Sequence, residues 1–548
     1  MKIKINGSNY DFKEGTNLEE IKEKLKIKDK DIIVGAIVNN VLSDLSKKLT
    51  NNSVVKFLTI NDEIGNRIYR RSLFLVLCKS IYELFPEAEL SIEHSLGNGI
   101  YCELYKNNPL VQKDVTTIKY RMKEIIEDNH RIQKKVFPIN RLEHIFKSYG
   151  FEDKIDMIKQ MNLKKYIIYE LDGYYDYYFY NMVPETGYLN YFDLYYRIPG
   201  FVMLFPQRGK PHKISKFADQ PKLASVFHEY ERWGKIINIE NAGDLNKITH
   251  DNKSADIIRI NEALHEKKIA NIADDISRQM PDKRIILISG PSSSGKTTFA
   301  QRLSIQLRVN GLNPVNISTD NYFVDRKNTP INEDGDYDFE SIEAIDMSLF
   351  NEHLVKLIQG KKIEIPFYNF KKGEREMRGL FLQITEEQPL IIEGIHSLNE
   401  RLTSVIPSDN KYRIYISALT QLNLDRHNRI PTTDTRIIRR IIRDYHFRGH
   451  SADMTIKWWP NVRKGEEKNI FPFQENADIM FNSALIYELA VLKNYAEPLL
   501  KEISPETETY YQALRLLEIL SCFQSMPEEN IPSTSILKEF IGGSAFSI

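Results

Sequence analysis

The chain has 548 residues and a mass of 64.1 kDa, which at about 100–200 residues per domain allows three to five domains. Its 75 Lys+Arg balance 75 Asp+Glu, and 42% of residues are hydrophobic. That excludes a protein held to nucleic acid or an anionic membrane by its overall field. The three cysteines, Cys78, Cys102 and Cys522, are too few for a disulfide framework or a Cys-rich zinc site, and fit a reducing compartment. The opening residues lack the apolar core of a secretory signal, and no apolar run approaches the ~20 residues that span a bilayer. A cytoplasmic, multidomain protein with no membrane partner is expected.

In chain order, residues 1–62 read as a small β-rich unit. Lys2–Ile5 alternates polar and apolar like a half-buried strand, and Asn6-Gly7 is a hairpin turn signal. Thr16–Leu25 has helical spacing, with Thr16 as N-cap and Glu19 three residues on. Ile32–Val38 and Ser53–Leu58 look like further strands. Residues 63–225 read as α+β, opening on an apolar-rich helix, Ile68–Leu84, stopped by Pro86. Residues 166–196 hold 11 of the 29 tyrosines. Such aromatics either pack across strands of a sheet or stack on RNA bases, and packing is the commoner use. Residues 226–280 form a polar helical connector.

The rhythm then changes. Arg284–Ser289, Val315–Ser318, Pro389–Glu393 and Arg413–Ile416 are short apolar strands, and Thr297–Asn310 is a helix closed by Gly311. Strands alternating with helices predict a parallel α/β sheet over residues 281–500. Residues 501–548 read as a helical segment and tail.

Gly290-Pro291-Ser292-Ser293-Ser294-Gly295-Lys296-Thr297 fits G-x-x-x-x-G-K-[ST] in full. Glycines let backbone N–H groups turn toward phosphates, and the helix N-terminus adds its positive dipole end. Lys296 is placed to reach the β- and γ-phosphates, Thr297 to hold Mg²⁺, and Thr298 to continue the nucleotide-binding stretch. No guanine-reading Asn-Lys-x-Asp follows: Asn246-Lys247 and Asn252-Lys253 both precede the loop and lack the Asp. A signalling GTPase is disfavoured.

Carboxylates fall where a kinase needs them. Asp320 lies just past the second strand, and loops at the carboxyl ends of neighbouring parallel strands converge on one crevice. It can orient an attacking hydroxyl and take its proton. Glu393 ends another strand, as an acidic partner of Mg²⁺ would. Arg436, Arg439, Arg440, Arg443 and Arg448 form a basic helix and its exit. Arg436, Arg440 and Arg443, at i, i+4 and i+7, are expected to close over phosphates as a lid.

With these residues in hand, positions 284 to about 485 resemble the uridine kinase and phosphoribulokinase superfamily, most of all its uridine kinase branch. The phosphate loop, Ser318-Thr-Asp320-Asn-Tyr-Phe323, Pro366-Phe-Tyr368-Asn-Phe370, Glu393-Gly394 and Arg439–Asp444 carry the likeness. The resemblance implies ATP or GTP as donor, Mg²⁺ held by Thr297 and Glu393, and a nucleoside 5′-hydroxyl as acceptor. It also implies Asp320 as base, with Lys296 and Arg443 in catalysis. Phe323, Phe339, Tyr368 and Phe370 would enclose the base, Glu340 the ribose hydroxyls, and Arg440, Arg443 and Arg448 phosphates and sugar. Three positions depart: Glu340 stands for the usual Asp, Gly373 for a base-reading His, and His450 for an Arg.

Residues 1–62 resemble a TGS domain, of β-grasp fold. Residues 63 to about 200 resemble the second additional domain of threonyl-tRNA synthetase, through Ile68-Tyr-Arg-Arg-Ser, Glu83-Leu-Phe-Pro86 and Glu93-His94-Ser-Leu-Gly-Asn-Gly-Ile-Tyr-Cys102. The H-x-x-x-H of that editing domain falls on Arg71 and Leu75, so no catalytic zinc is expected, and His94 reads as structural. A nucleoside kinase with a uridine- or cytidine-like acceptor leads. Its base preference is loosened or shifted because Gly373 offers no side chain to read the base, so Gly373→His is expected to sharpen preference for uridine and cytidine. An RNA-binding regulator with a nucleotide-dependent switch, or a kinase of another small metabolite, stands beside it. An RNA or nucleotide ligand for the N-terminal half, and an oligomer, are compatible with either.

Overall fold

A computed structural model gives the fold of residues 1–25, 32–161, 163–332, 335–370, 372–420 and 422–546. Lys2–Ile5 buries Ile3 and Ile5 and exposes both lysines. It turns through Asn6 and Gly7, both at positive φ, into Ser8–Asp11. On its other side it pairs in parallel with Ser53–Thr59, and Ile33–Val38 and Val41–Ser43 complete a five-stranded sheet. The small helix is Leu18–Lys24, and its cap is Asn17, whose side chain accepts from the Glu20 N–H at 2.8 Å. The cap expected at Thr16 is thus displaced by one residue, because Thr16 Oγ1 donates to Lys13 O instead.

The next helix runs from Glu63, not Ile68, to Leu84. Its first turn is polar, and it buries Asn66 through bonds to Ile60 O and Pro206 O. A count of apolar positions passes over such a turn. Against this helix lies an antiparallel sheet ordered Asp193–Arg197, Gly200–Leu204, Gly99–Tyr105, Glu89–Leu96. A three-stranded sheet of Ile132–Pro138, Lys165–Leu171 and Tyr174–Asp176 adjoins it. Tyr166, Tyr169, Tyr174, Tyr177 and Tyr178 are buried, and Tyr174 stacks on Tyr149 at 5.4 Å. These five rings pack the core.

The carboxyl-terminal region is built on five parallel strands in the order Val315–Ser318, Leu390–Glu393, Ile285–Ser289, Lys411–Ser417, Ile479–Asn482. The central three are buried along their whole length, as a sheet covered on both faces requires. One face packs Ile286, Ile288 and Ile414 against Leu303 and Leu307 of the helix Lys296–Val309 and against Ile272 and Ile276. The latter two belong to Ser254–Arg278, so the expected connector forms an outer layer of this fold. The other face packs Leu287 and Ile392 on Phe350 and Leu354. The edge strand Ile479–Asn482 and the hairpin Ile363–Asn369/Glu374–Leu382 were not predicted.

The two halves share a core. One continuous apolar cluster includes Phe146 and Ile158 from the first half, Ile437 and Ile441 from the second, and Leu516 near the end. Lys154, fully buried, reaches Asp176 at 2.8 Å and Asp425 at 2.9 Å. Among the described residues no helix is long and apolar enough to cross a membrane, and all three cysteines are buried and free.

Candidate active site

The sheet's central strand delivers Gly290–Thr297 at its carboxyl end. A Cβ on Gly290 would lie 2.0 Å from Ile416 O, so only glycine lets the loop pass the neighbouring strand. Ser293 and Gly295 take positive φ, which turns successive N–H groups inward. Lys296 folds back on the loop, its Nζ donating to Gly290 O at 3.0 Å and Pro291 O at 3.2 Å. The buried hydroxyls of Ser293, Ser294 and Thr319 have no partner among the described residues. Such a set of waiting donors fits a polyphosphate.

Two carboxylates occupy donors of this loop. Glu466 accepts from Ser292 N–H at 3.1 Å. Glu539 Oε2 accepts from the N–H and hydroxyl of Thr298 at 3.2 and 2.8 Å. Glu539 is held there by a short buried segment in which Ile536 presses on Gly295 and Phe540 lies beneath Arg439. Nothing in the sequence around Glu539 signals this placement.

Asp320 and Glu393 converge beside Lys296. Ser318 and Glu393 are register partners on adjacent strands, and Asp320 lies two residues past Ser318 in the turn Thr319–Tyr322. Burial and the neighbouring Asp320 charge push the Glu393 carboxyl up to about 7. Asp320 is also raised by burial, against the pull of Lys296, Arg448 and Arg443. Lys296 is lowered by burial although Glu393, Asp320 and Glu539 favour its charge. Two neighbouring carboxyls raised by burial are a donor set that a divalent cation would relieve. Glu393 therefore fits Mg²⁺, with Thr297 the hydroxyl that the phosphate loop itself supplies.

The arginines divide into two groups. Arg436 and Arg439 are fully buried; Arg436 pairs with Glu466 and donates to Ser292 O at 3.0 Å, and Arg439 pairs with Glu488 at 2.5 Å. They brace the phosphate loop from below, which corrects the expectation of Arg436 in a lid. Arg440, Arg443 and Arg448 gather on Asp444 at 3.2, 2.9 and 3.6 Å, and Arg440 also donates to Ser292 Oγ at 2.8 Å. The helix Thr432–Arg443 widens into a π-turn over Asp444–Arg448, a local distortion common at functional sites.

Phe323, Tyr368 and Phe370 form one cluster with centroids 5.0–6.2 Å apart, and Arg448 lies over the Phe370 ring. Phe339 pairs instead with Tyr337 and is 40% exposed. Glu340 is pushed up to about 7 by burial and by Glu466, and its buried Oε2 has no partner among the described residues. Gly465 makes room for it, since a Cβ there would meet Glu340 Cβ at 2.2 Å. Gly373 has φ +73°, and a Cβ would meet the Arg326 guanidinium at 2.7 Å. Arg326, absent from the sequence expectations, donates to Phe370 O at 2.9 Å and fills this position. His450 lies edge-on to Trp458 at 4.9 Å.

In the first half, Leu75 is fully buried and Arg71 donates to Asn181 O at 3.0 Å. The Cys78, Asp176 and His427 ligand atoms come together, but the Lys154 ammonium already stands on Asp176. A metal cation there would meet that charge.

Residues 285–487 match the model of the Phosphoribulokinase / Uridine kinase family. With the phosphate loop and the parallel sheet, this makes the carboxyl-terminal region a nucleotide-binding P-loop kinase fold. A chain described as a "possible uridine kinase" from Bacillus stearothermophilus aligns at 19% identity with a TM-score of 0.24, over 36% of this chain and 88% of that one. Among curated proteins, the threonine–tRNA ligase of Thermotoga neapolitana is 27% identical over 200 residues, 35% of this chain and 30% of the ligase. That of Wolbachia sp. subsp. Brugia malayi is 30% identical over 124 residues, 23% and 20% of the two chains. The chain thus spans less than a third of the length of these relatives.

Proposed function

We propose that the protein is a nucleoside kinase that moves the γ-phosphate of ATP or GTP to the 5′-hydroxyl of a ribose-bearing acceptor, uridine- or cytidine-like. The observation that carries this reading is the convergence of Asp320, Glu393 and Lys296 at the carboxyl ends of adjacent parallel strands. A nucleotide switch alone has no need of an acceptor-side carboxylate. Lys296 leaves its carbonyl partners to meet the β- and γ-phosphates, where its charge counters that developing on the bridging oxygen. Asp320 holds the acceptor hydroxyl in line and takes its proton as the new O–P bond forms and the bond from the γ-phosphorus to the β–γ bridging oxygen breaks, releasing the nucleoside diphosphate. The transition state is loose, so orientation contributes more than base strength. Thr297 and Glu393 would hold Mg²⁺, which would supply positive charge to the phosphates. Arg440, Arg443 and Arg448 are freed from Asp444 in part to meet the transferred group. Phe370, which is exposed, offers a stacking face to the acceptor base, with the buried Phe323 and Tyr368 packed behind it, and Glu340 offers its carboxyl to ribose hydroxyls.

The test is a turnover panel of nucleosides, sugars and sugar phosphates with ATP and with GTP. Phosphorylation of a ribonucleoside that is lost in Asp320→Asn supports the proposal. Turnover of a non-nucleoside acceptor alone would replace it with a kinase of another metabolite.

A further inference from the structure

A second concentration of positive charge lies away from the phosphate loop, where the two halves meet. The helix Glu63–Leu84 presents Arg67, Arg70 and Arg71 at i, i+3 and i+4, on one face. Arg429, from the second half, faces them across a cavity of about 90 Å³. This is room for a phosphoryl-sized group.

The cavity's single lining carboxylate is already shared. Asp434 holds Arg67 at 2.9 Å and Arg515 at 2.5 Å. Glu63 also serves Arg67. The other three guanidiniums make neutral contacts: Arg71 with Asn181 O and the Tyr180 ring, Arg70 with the Phe205 ring, and Arg429 with Ser95 Oγ at 3.0 Å. Among the described residues, none of the three forms an ion pair. The Nε atoms of Arg67 and Arg429 are buried and unpartnered. Burial lowers Arg70 to about 9 and Arg71 and Arg429 to about 10, with repulsion from Arg67 adding to it and Glu63, Glu518 and Asp434 respectively opposing it. All four arginines are partly exposed, so an anion can reach them, and like charges gathered this closely favour one. Guanidinium forks match the oxygens of a phosphate in pairs, and three arginines without an ion-pair partner among the described residues favour a dianion over a carboxylate.

We infer that this cavity binds the phosphoryl group of a small phosphorylated metabolite, at a site separate from the phosphate loop. Asp434, at its wall, stands in the first turn of the helix that carries Arg436 and Arg440 to Ser292. The site therefore borders an element that the kinase centre also uses.

The experiment uses the full chain with its phosphate loop saturated by a non-hydrolysable MgATP analogue. Binding of inorganic phosphate, pyrophosphate, AMP, adenosine and acetate is measured calorimetrically. Phosphate, pyrophosphate and AMP should bind at one further site, and adenosine and acetate should not. Arg70→Gln and Arg429→Gln should each weaken binding about tenfold or more, as expected when a charged hydrogen-bond partner is lost, and Arg71→Lys should retain part of it. Thermal melts of the ligand-free protein give a second readout. If the arginines serve a ligand, Arg70→Gln and Arg429→Gln relieve repulsion, so the melting temperature holds or rises while its increase with phosphate disappears. Lower melting temperatures with unchanged phosphate binding, or no phosphate binding in the wild-type chain, would overturn the inference.

Discussion

Replacing Glu539 should tighten nucleotide binding. Its carboxylate takes the N–H and hydroxyl of Thr298, at the start of the helix whose N-terminal donors cradle nucleotide phosphates. Phosphate and carboxylate cannot share these donors, and their like charges repel. Hydrogen bonds to a charged acceptor contribute about 1.5–3 kcal/mol. If only one such bond is lost net when the nucleotide enters, the ligand-free form is favoured by about 2 kcal/mol. A conformational preference of that size weakens apparent affinity roughly 30-fold.

Glu539→Ala should therefore lower the Kd for MgATP by about tenfold or more, with Glu539→Gln intermediate because an amide keeps one acceptor and no charge. The buried anchors Ile536, Leu537 and Phe540 remain, so the segment stays in place. Isothermal titration or fluorescent-nucleotide displacement measures the change. The ligand-free Glu539→Ala protein should meanwhile melt earlier, having lost a charged acceptor worth about 2 kcal/mol or more. An affinity that stays within twofold of wild type, or weakens, would show that Glu539 does not compete with phosphate.

What was legible in the sequence follows what each residue's partners require. The phosphate loop was legible because backbone donors around phosphates need glycines and a lysine at fixed local spacing. Asp320 and Glu393 were legible because each ends or follows a short apolar strand, and parallel strands bring their ends together. The arginine run was only half legible. Five guanidiniums in thirteen positions look alike, and Arg436 and Arg439 differ from Arg440 and Arg443 only through Glu466 and Glu488, which lie far along the chain. Glu539, 241 residues from Thr298, leaves no local pattern at all. Arg326 escaped for the same reason, since Gly373 announces a missing side chain but not what fills the space. The charged face of Glu63–Leu84 resembles an ordinary solvated one until the second half packs over it.

The remaining expectations concern the acceptor side, the junction and the metal. Asp320→Asn should leave nucleotide affinity near wild type and lower turnover roughly 10²-fold or more, measured by coupled assay; full activity would remove Asp320 from the mechanism. Gly373→His should not sharpen pyrimidine preference but destabilise the hairpin, by about 1 kcal/mol or more for its positive φ plus displacement of Arg326; a lower melting temperature checks this. Lys154→Met removes the cation shared by Asp176 and Asp425, leaving Asp176 to His427 Nδ1 at 2.7 Å and Asp425 to neutral donors of His427 and Asn428. It should cost about 3–5 kcal/mol in urea unfolding, and a loss below about 1 kcal/mol would mean these partners suffice. The last concerns Glu393, whose carboxyl is pushed up to about 7 by burial and by Asp320. A carboxyl raised on folding favours the native state while protonated, so its contribution is present below about pH 4.5 and is lost as pH rises through about 7. A metal ion needs the carboxylate, so binding Mg–nucleotide must expel the proton. Below about pH 7 Glu393 is largely protonated, and well above it the carboxyl is ionised. Titrations in buffers of different ionisation enthalpy should therefore report net proton release at about pH 6 and much less at about pH 8.5. Glu393→Gln should abolish the release. Zero release at both values in the wild-type protein would place the ion elsewhere and leave Glu393 as a strand-end carboxyl.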